Sequence, residues 1–291
     1  MASYSNTLSN FTPELWADFI QENLYKTLVG MEIANTKLKK YLSVGDTVHV
    51  PILGQLSVTA YVKGADVSVQ ALATTDEYLT VDQQYESSIY LDTIDKKQNK
   101  YATQMEAMTE QMYAIKNQVD GDILAETILA TDTVDAGDLT GGGANGAAVT
   151  LTTTNVIELF STARAKLASA NVEDNGDFIA VVTPTIASII EQKATGVGLD
   201  LAQAAFKNGY AGDFIGFKIY VSNNLDITTN SRTHVYIGRS KMIDIAMQIA
   251  PTVQSDRDPL KFGDIVKVLS VWGIKTFYKN RQRFLDMHIS N

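Results

Sequence analysis

Three histidines, two clusters of acids and one short basic run carry most of the chemistry this sequence could offer. His49, His234 and His288 lie far apart, each in an apparent strand or at its edge. They read as scattered rings without a second His or a carboxylate at ligand spacing. Each is therefore expected to be a half-buried imidazole with one partner, not a metal ligand or general base. The acids gather in "LDTID" (Asp92, Asp95) and "VDGDILAE" (Asp120, Asp122, Glu126). Paired carboxylates can run hydrolysis or hold a divalent cation. Here "DGD" does not continue as a calcium loop, and Lys96, Lys97 and Lys100 stand near the first cluster. Solvated faces and helix-end charges are the simpler expectation for both.

Other motifs are fragments. Gly141–Gly143 lack the Lys-Ser/Thr of a phosphate-binding P-loop, and "GVG" at 196–198 lacks the rest of a dinucleotide fingerprint. Met105, Met108 and Met112 could line a promiscuous groove, but their helical spacing makes core the default. "KNRQR" (279–283) could touch phosphates, yet it is short against a net charge of −9. No catalytic constellation, cofactor site or metal site emerges, so the chain is expected not to be an enzyme.

Composition sets the outer bounds. A chain of 291 residues with 45% hydrophobic and 20% charged residues is that of a folded protein. The acidic balance argues against a dedicated nucleic-acid reader, which needs a basic face, but not against a nucleic acid that is merely enclosed. There is no cysteine, so disulfides and thiolate sites are absent. The start "MASYSNTLSNF" shows no secretory signal. The most apolar run, 178–190, is short of the about 20 residues that span a bilayer. The cytoplasm of the producing cell is the simplest expected location.

Near the N-terminus, Thr12 and Pro13 can open a helix with Leu15, Trp16, Phe19, Ile20, Leu24 and Leu28 on one face. It could dock on its own core or, as an arm, on a neighbour. Strand patterns follow at 46–53, where Val48, Val50 and Ile52 share a face, and at 56–62. Pro51 marks the first as an edge. A third strand is expected over 79–93, with Leu79, Val81, Tyr85, Ile89 and Leu91 alternating with polar residues. A helix is expected from 97 to 130, striped by Tyr101, Met105, Met108, Met112, Ile115 and Val119, with a bend or stop possible at Gly121. No Gly separates Gly64 from Gly121, and no Pro separates Pro51 from Pro184.

Magnitudes make this arrangement informative. A compact chain of this length is roughly 50 Å across. The strand would run roughly 50 Å at about 3.3 Å per residue, and the helix about as far at 1.5 Å per residue. Each would cross the whole globule. Part of the ribbon should project, its thin apolar face covered by another copy of the protein.

Residues 132–153 read as a flexible Gly- and Asp-rich connection. Beyond them helix and strand alternate: a helix after Asn155, a buried strand at 178–183, a helix opened by Pro184, and a short helix in "GLDLAQAAFKNG". A strand entered through Gly216 follows, then one or two strands in "HVYIGRSKMIDIAM", an alternating segment at 262–281 and a final strand "FLDMHIS". The fold class is α+β.

Several stretches, in order, resemble the major capsid proteins of tailed double-stranded DNA phages with the Hong Kong 97 coat fold. They are "FTPELWADFIQENLYKTLV" (11–29), "YLDTIDKKQN" (90–99), "FIAVVTPTIASIIEQ" (178–192), "GYAGDFIGFKIYVSNNL" (209–225) and "FGDIVKVLSVWGIKTFYKNR" (262–281). The series covers the chain nearly end to end; 64–76 and 132–153 match no part of it. The resemblance implies an N-terminal arm (1–44), an extended β-ribbon loop (45–92), a peripheral domain with a spine helix (93–153), an axial domain (154–250) and a return to the peripheral domain (251–291).

It also implies a function: self-assembly of pentamers and hexamers into an icosahedral shell around phage DNA. Scaffolding and portal proteins would be partners. There would be no sequence-specific DNA binding, no membrane and no cofactor, and the product would be a virion assembled in the host cytoplasm. Inter-subunit contacts are expected at Trp16, Phe19, Tyr61, Lys63, Tyr78, Tyr85 and Tyr90. Some family members crosslink subunits through a Lys and an Asn; Lys63 lies near the loop tip, but no such pair is assigned. The alternatives are an encapsulin-type nanocompartment shell around a cargo enzyme and a carboxylate-dependent hydrolase resting on Asp120 and Asp122.

Overall fold

The computed structural model describes residues 24–42, 45–64, 66–67, 69–98, 103–197, 210–225, 227–228 and 232–290. The expected N-terminal helix with Trp16 and Phe19, the stripe residue Tyr101, and the helix in "GLDLAQAAFKNG" lie outside the described residues.

The first half of the chain holds α1 (Gly30–Ile33), β1 (Ala34–Asn35), β2 (Thr47–Leu53), β3 (Thr74–Thr80), β4 (Gln83–Asp92), α2 (Thr93–Gln98), α3 (Thr103–Ala125) and β5 (Asp132–Val134). The second half holds α4 (Val156–Ser169), β6 (Phe178–Val182), α5 (Pro184–Val197), β7 (Tyr210–Phe214), β8 (Phe217–Val221), β9 (Ile227–Thr228), β10 (Arg232–Arg239), β11 (Ile243–Arg257), β12 (Gly263–Lys275), α6 (Tyr278–Arg281) and β13 (Phe284–Ser290). Among the described residues these strands form three sheets. A four-stranded sheet runs β1-β11-β12-β4, a seven-stranded sheet runs β5-β13-β10-β6-β8-β7 with β9 on β10, and β2 pairs with β3.

The main core lies at the seven-stranded sheet. Every side chain of β6 is buried, as expected for a strand covered on both faces. On α4, Leu159, Phe160, Ala163 and Leu167 are buried, and Phe160 meets Phe214 edge-on at 5.2 Å. β7 and β8 form a hairpin rather than one strand, turning at Ile215 and Gly216, both at positive φ. A Cβ at 216 would sit 2.6 Å from the Arg164 guanidinium, which donates to Ile215 O. Pro184 opens α5 as expected, since its missing N–H is one the first turn would not use. Asn155 precedes α4 without a side-chain cap; its Oδ1 accepts from Thr152 N at 2.8 Å instead.

The expected strand over 79–93 is in fact two. β3 belongs with β2, whereas β4 pairs with β12 from Trp272↔Gln83 to Gly263↔Asp92. The chain changes sheets at Val81 and Asp82, where Val81 N donates to Asp46 O. Leu79 and Val81 are buried there with Leu42, Ala246, Val271 and Phe277. Gly273 permits the crossing, because a Cβ would meet Thr80 O at 2.2 Å.

The expected 97–130 helix is likewise shorter. α2 precedes it, α3 ends at Ala125, and a 3-10 turn covers Glu126–Leu129. α3 passes through Gly121 without stopping. Its stripe is core only at the C-terminal end: Ile115, Val119 and Ile123 are buried, while Met105 is 72% exposed.

Two further expectations are corrected. Residues 56–62 form no strand, because the chain offers them no ladder to join; all are exposed. Residues 132–153 are not a flexible loop. β5 runs parallel to β13, Val149 bridges Ile289, and Asp135 with Asp138 forms a capping box. Asp135 Oδ2 also accepts from Gly146 N at 2.6 Å, so the glycines fold around a buried carboxylate.

Candidate inter-subunit surface

α3 is fixed on the sheet β4-β12-β11 by polar pins. Gln111 Nε2 donates to Ser87 O at 3.2 Å and to Val266 O at 3.3 Å. Trp272, fully buried, donates from Nε1 to Asp122 Oδ2 at 3.3 Å and stacks on Tyr85 with ring centres 5.1 Å apart. Glu126 accepts from Thr276 Oγ1 at 2.7 Å.

Asp120 accepts from Gly30 N at 2.5 Å and from Asn224 Nδ2 at 2.8 Å. Burial pushes the Asp120 carboxyl above the usual range, against hydrogen bonds that lower it. Burial also raises Asp122. The expectation of solvated acids fails here. Each carboxylate of "VDGDILAE" holds a different element to the spine, and no hydrolytic pair is built. Asp92 instead accepts from Ile94 N at 2.7 Å at the start of α2.

The segment before α1 straps the outer side of α3. Lys26 N donates to Tyr113 Oη at 2.7 Å, and the Tyr25 and Tyr113 rings lie 4.4 Å apart. Leu28, Met108 and Met112 line a groove beside them.

The ribbon is different in kind. Its base is held: Val48 and Val50 pack on the second core, Lys279 Nζ donates to Leu53 O at 2.9 Å, and Tyr278 N donates to Glu77 Oε2 at 3.0 Å. Beyond Gly54, every described residue to Ala73 is exposed. The two extended arms are clasped by Gln70, whose amide exchanges hydrogen bonds with Ser57 N and Ser57 O at 3.1 and 2.8 Å. Val58 is 100% exposed and Val69 90%. Leu56, Tyr61, Val62 and Val67 are also bare.

A monomer does not usually leave so much apolar surface contiguous.

The residues expected at subunit contacts divide accordingly. Trp16 and Phe19 lie outside the described residues. Tyr61, Lys63 and Tyr78 stand exposed on the ribbon. Tyr85 and Tyr90 are partly used within the chain: Tyr85 on Trp272, and Tyr90 over Gly263, where a Cβ would meet its ring at 2.5 Å. "KNRQR" is also spoken for in part. Lys279 serves the ribbon base, and Arg281 Nε donates to Thr276 O at 2.9 Å.

One grouping went unseen in the sequence. His234, Asp286 and His288 converge in the core, with Asp286 Oδ2 2.6 Å from His234 Nδ1 and 3.1 Å from His288 Nε2. His49 does stand apart, beside Asp76, but His234 and His288 do not: β10 and β13 pair antiparallel and set them opposite each other. The Asp286–His288 spacing of two was the available signal, since alternate strand residues share a face.

A family model described as phage capsid protein matches residues 88–282. No curated protein matches the sequence. Among solved structures, one from Mycobacterium phage Che8 is 23% identical, covering 96% of this chain and 97% of that one with a TM-score of 0.78. The capsid structure of Cyanophage P-SCSP1u is 15% identical over 99% and 96%, with a TM-score of 0.79. The Cyanophage Pam1 capsid asymmetric unit is 11% identical over 100% and 99%, with a TM-score of 0.72. Likeness over nearly the whole of each chain bears out the Hong Kong 97-like α+β fold.

Proposed function

The chain belongs to the phage capsid protein family, and we propose that its copies close as pentamers and hexamers around packaged double-stranded DNA. As a family member it is a shell protein of the virion, self-associating and not an enzyme.

The observation that carries the finer reading is the bare ribbon tip. Its described residues between 55 and 72 present apolar side chains that no other described residue buries. Covering a Val or Leu is worth about 2 kcal/mol, so laying the tip over an adjacent subunit supplies a large part of the association energy.

On this reading residues 1–44 are the arm, 45–92 the extended loop, 93–153 and 251–291 the peripheral domain, and 154–250 the axial domain. Tyr61, Lys63 and Tyr78 touch the neighbour directly; Tyr85 and Tyr90 offer it their outer edges; Trp16 and Phe19 dock from the arm. The net charge of −9 suits a wall that encloses DNA without gripping it. Scaffolding and portal proteins take part in assembly, in the host cytoplasm.

Electron microscopy of the chain expressed alone tests the reading. Hollow shells or capsomer-sized rings are expected; a stable small species at high concentration contradicts it.

A further inference from the structure

On the seven-stranded sheet, away from ribbon and spine, three side chains with metal-ligand chemistry meet in the core. His234 on β10 stands directly opposite His288 on β13, and Asp286 shares the face of His288. Their exposures are 5%, 7% and 2%. Asp286 Oδ2 lies between the two imidazoles, 2.6 Å from His234 Nδ1 and 3.1 Å from His288 Nε2. The rings meet edge to face at 5.1 Å. One donor atom from each residue falls within 4.8 Å of the others.

The polar accounting of this cluster does not close. Among the described residues, Asp286 Oδ1, His234 Nε2 and His288 Nδ1 are buried without a hydrogen-bond partner, whereas buried polar atoms are nearly always paired. Among the described residues, the ion pairs of Asp286 are with the two imidazoles and with no Lys or Arg. A buried carboxylate needs a compensating positive charge. Two imidazole nitrogens and one carboxylate oxygen on rigid adjacent strands form a donor set suited to zinc.

We propose that His234, Asp286 and His288 bind a divalent transition-metal ion of the zinc class, with water as fourth ligand. The ion takes the place of the protons now shared with Asp286. Each neutral imidazole then binds through the nitrogen that faces Asp286, His234 Nδ1 or His288 Nε2, and carries its single proton on the other. The site joins the last strand of the chain to β10, so metal binding adds directly to the stability of the fold. The inference does not depend on the shell reading.

The whole chain, purified without chelator and then depleted, is titrated with Co²⁺ and Zn²⁺. Binding is followed by visible absorption of the cobalt form and by elemental analysis. The expected result is one ion per chain, a visible cobalt band characteristic of nitrogen ligation, and a higher thermal midpoint with Zn²⁺. His288→Gln should weaken binding at least about tenfold, and His49→Gln, at the exposed His49–Asp76 pair, should leave it unchanged. Absence of uptake and of the cobalt band in the unsubstituted chain overturns the proposal. So does uptake that His49→Gln abolishes or that a folded His288→Gln keeps at full affinity. If His288→Gln does not fold, the stoichiometry and cobalt spectrum of the unsubstituted chain decide.

Discussion

The backbone N–H of Gly30 donates to Asp120 Oδ1 at 2.5 Å, joining residues 90 positions apart. The bond fastens the N-terminal strap to the spine helix, and Asn224 completes it from the segment that follows β8. One carboxylate thus holds three separate parts of the chain together. It is 2% exposed and Gly30 is buried as well, so the Gly30 N–H cannot turn to water instead.

Replacing Asp120 with Ala should therefore cost more than a surface charge change. The buried donor Gly30 N loses its acceptor, at about 1–3 kcal/mol, while Asn224 Nδ2 keeps Asn117 Oδ1 at 2.9 Å. Asp120→Ala is expected to lower the thermal midpoint clearly and to open residues 24–30 to limited proteolysis. Asp95→Ala, at an exposed acid, should do neither. An unchanged digestion pattern in Asp120→Ala would show that the strap is held by other contacts.

Gly121 gives the opposite expectation. It lies inside α3, away from positive φ, and a Cβ there meets nothing within 4 Å. Gly121→Ala should stabilise by up to about 1 kcal/mol, because Ala is the better helix former. Gly238→Ala should be severely destabilising, since φ is 153° and the Cβ would lie 2.4 Å from Phe284 Cα. Urea midpoints of the two variants, compared side by side, check both signs.

Which parts of this were legible beforehand follows from how local the signals are. Pro184, the buried run at β6 and the strand at β13 each carry their signal within a few residues, and the structure agrees. The break at Val81 does not. It is imposed by Gly273, which lies on another strand and leaves room for the chain to cross. Asp120 and Asp122 read as solvated because helical spacing says nothing about what packs over a face. The His234–His288 pairing depends on the register of two strands more than fifty residues apart. The resemblance to a coat fold held because it rested on the order of many segments rather than on any one of them.

The ribbon tip separates folding from assembly. Val58 is 100% and Val69 90% exposed, so Val58→Asp with Val69→Asp should leave the far-ultraviolet circular dichroism of unassembled protein unchanged and its stability within about 0.5 kcal/mol. The same pair should prevent particle formation, because a neighbour would have to desolvate two carboxylates. Sedimentation velocity reads the outcome. Normal particles from the double variant would mean that the tip lies free on the shell surface.

Acid should act on the joint between β1 and β11. Asp244 accepts from Asn35 Nδ2 at 2.6 Å and Asn280 Nδ2 at 3.0 Å. Burial nevertheless raises its pKa from 3.8 to about 6, the two amides and Lys37 lowering it only in part. A raised carboxyl binds its proton more tightly in the folded chain than in the unfolded one. Its contribution to stability is therefore complete below pH 3.8 and is lost as pH rises through about 6. The full displacement corresponds to at most about 3 kcal/mol. Asp244→Asn removes the titration, so the variant should show a flatter dependence of the unfolding midpoint between pH 4 and 6.5 than the unsubstituted chain, at equal ionic strength. Parallel profiles for the two proteins would mean that Asp244 stays ionised in the fold throughout, with Asn35 and Asn280 compensating its burial.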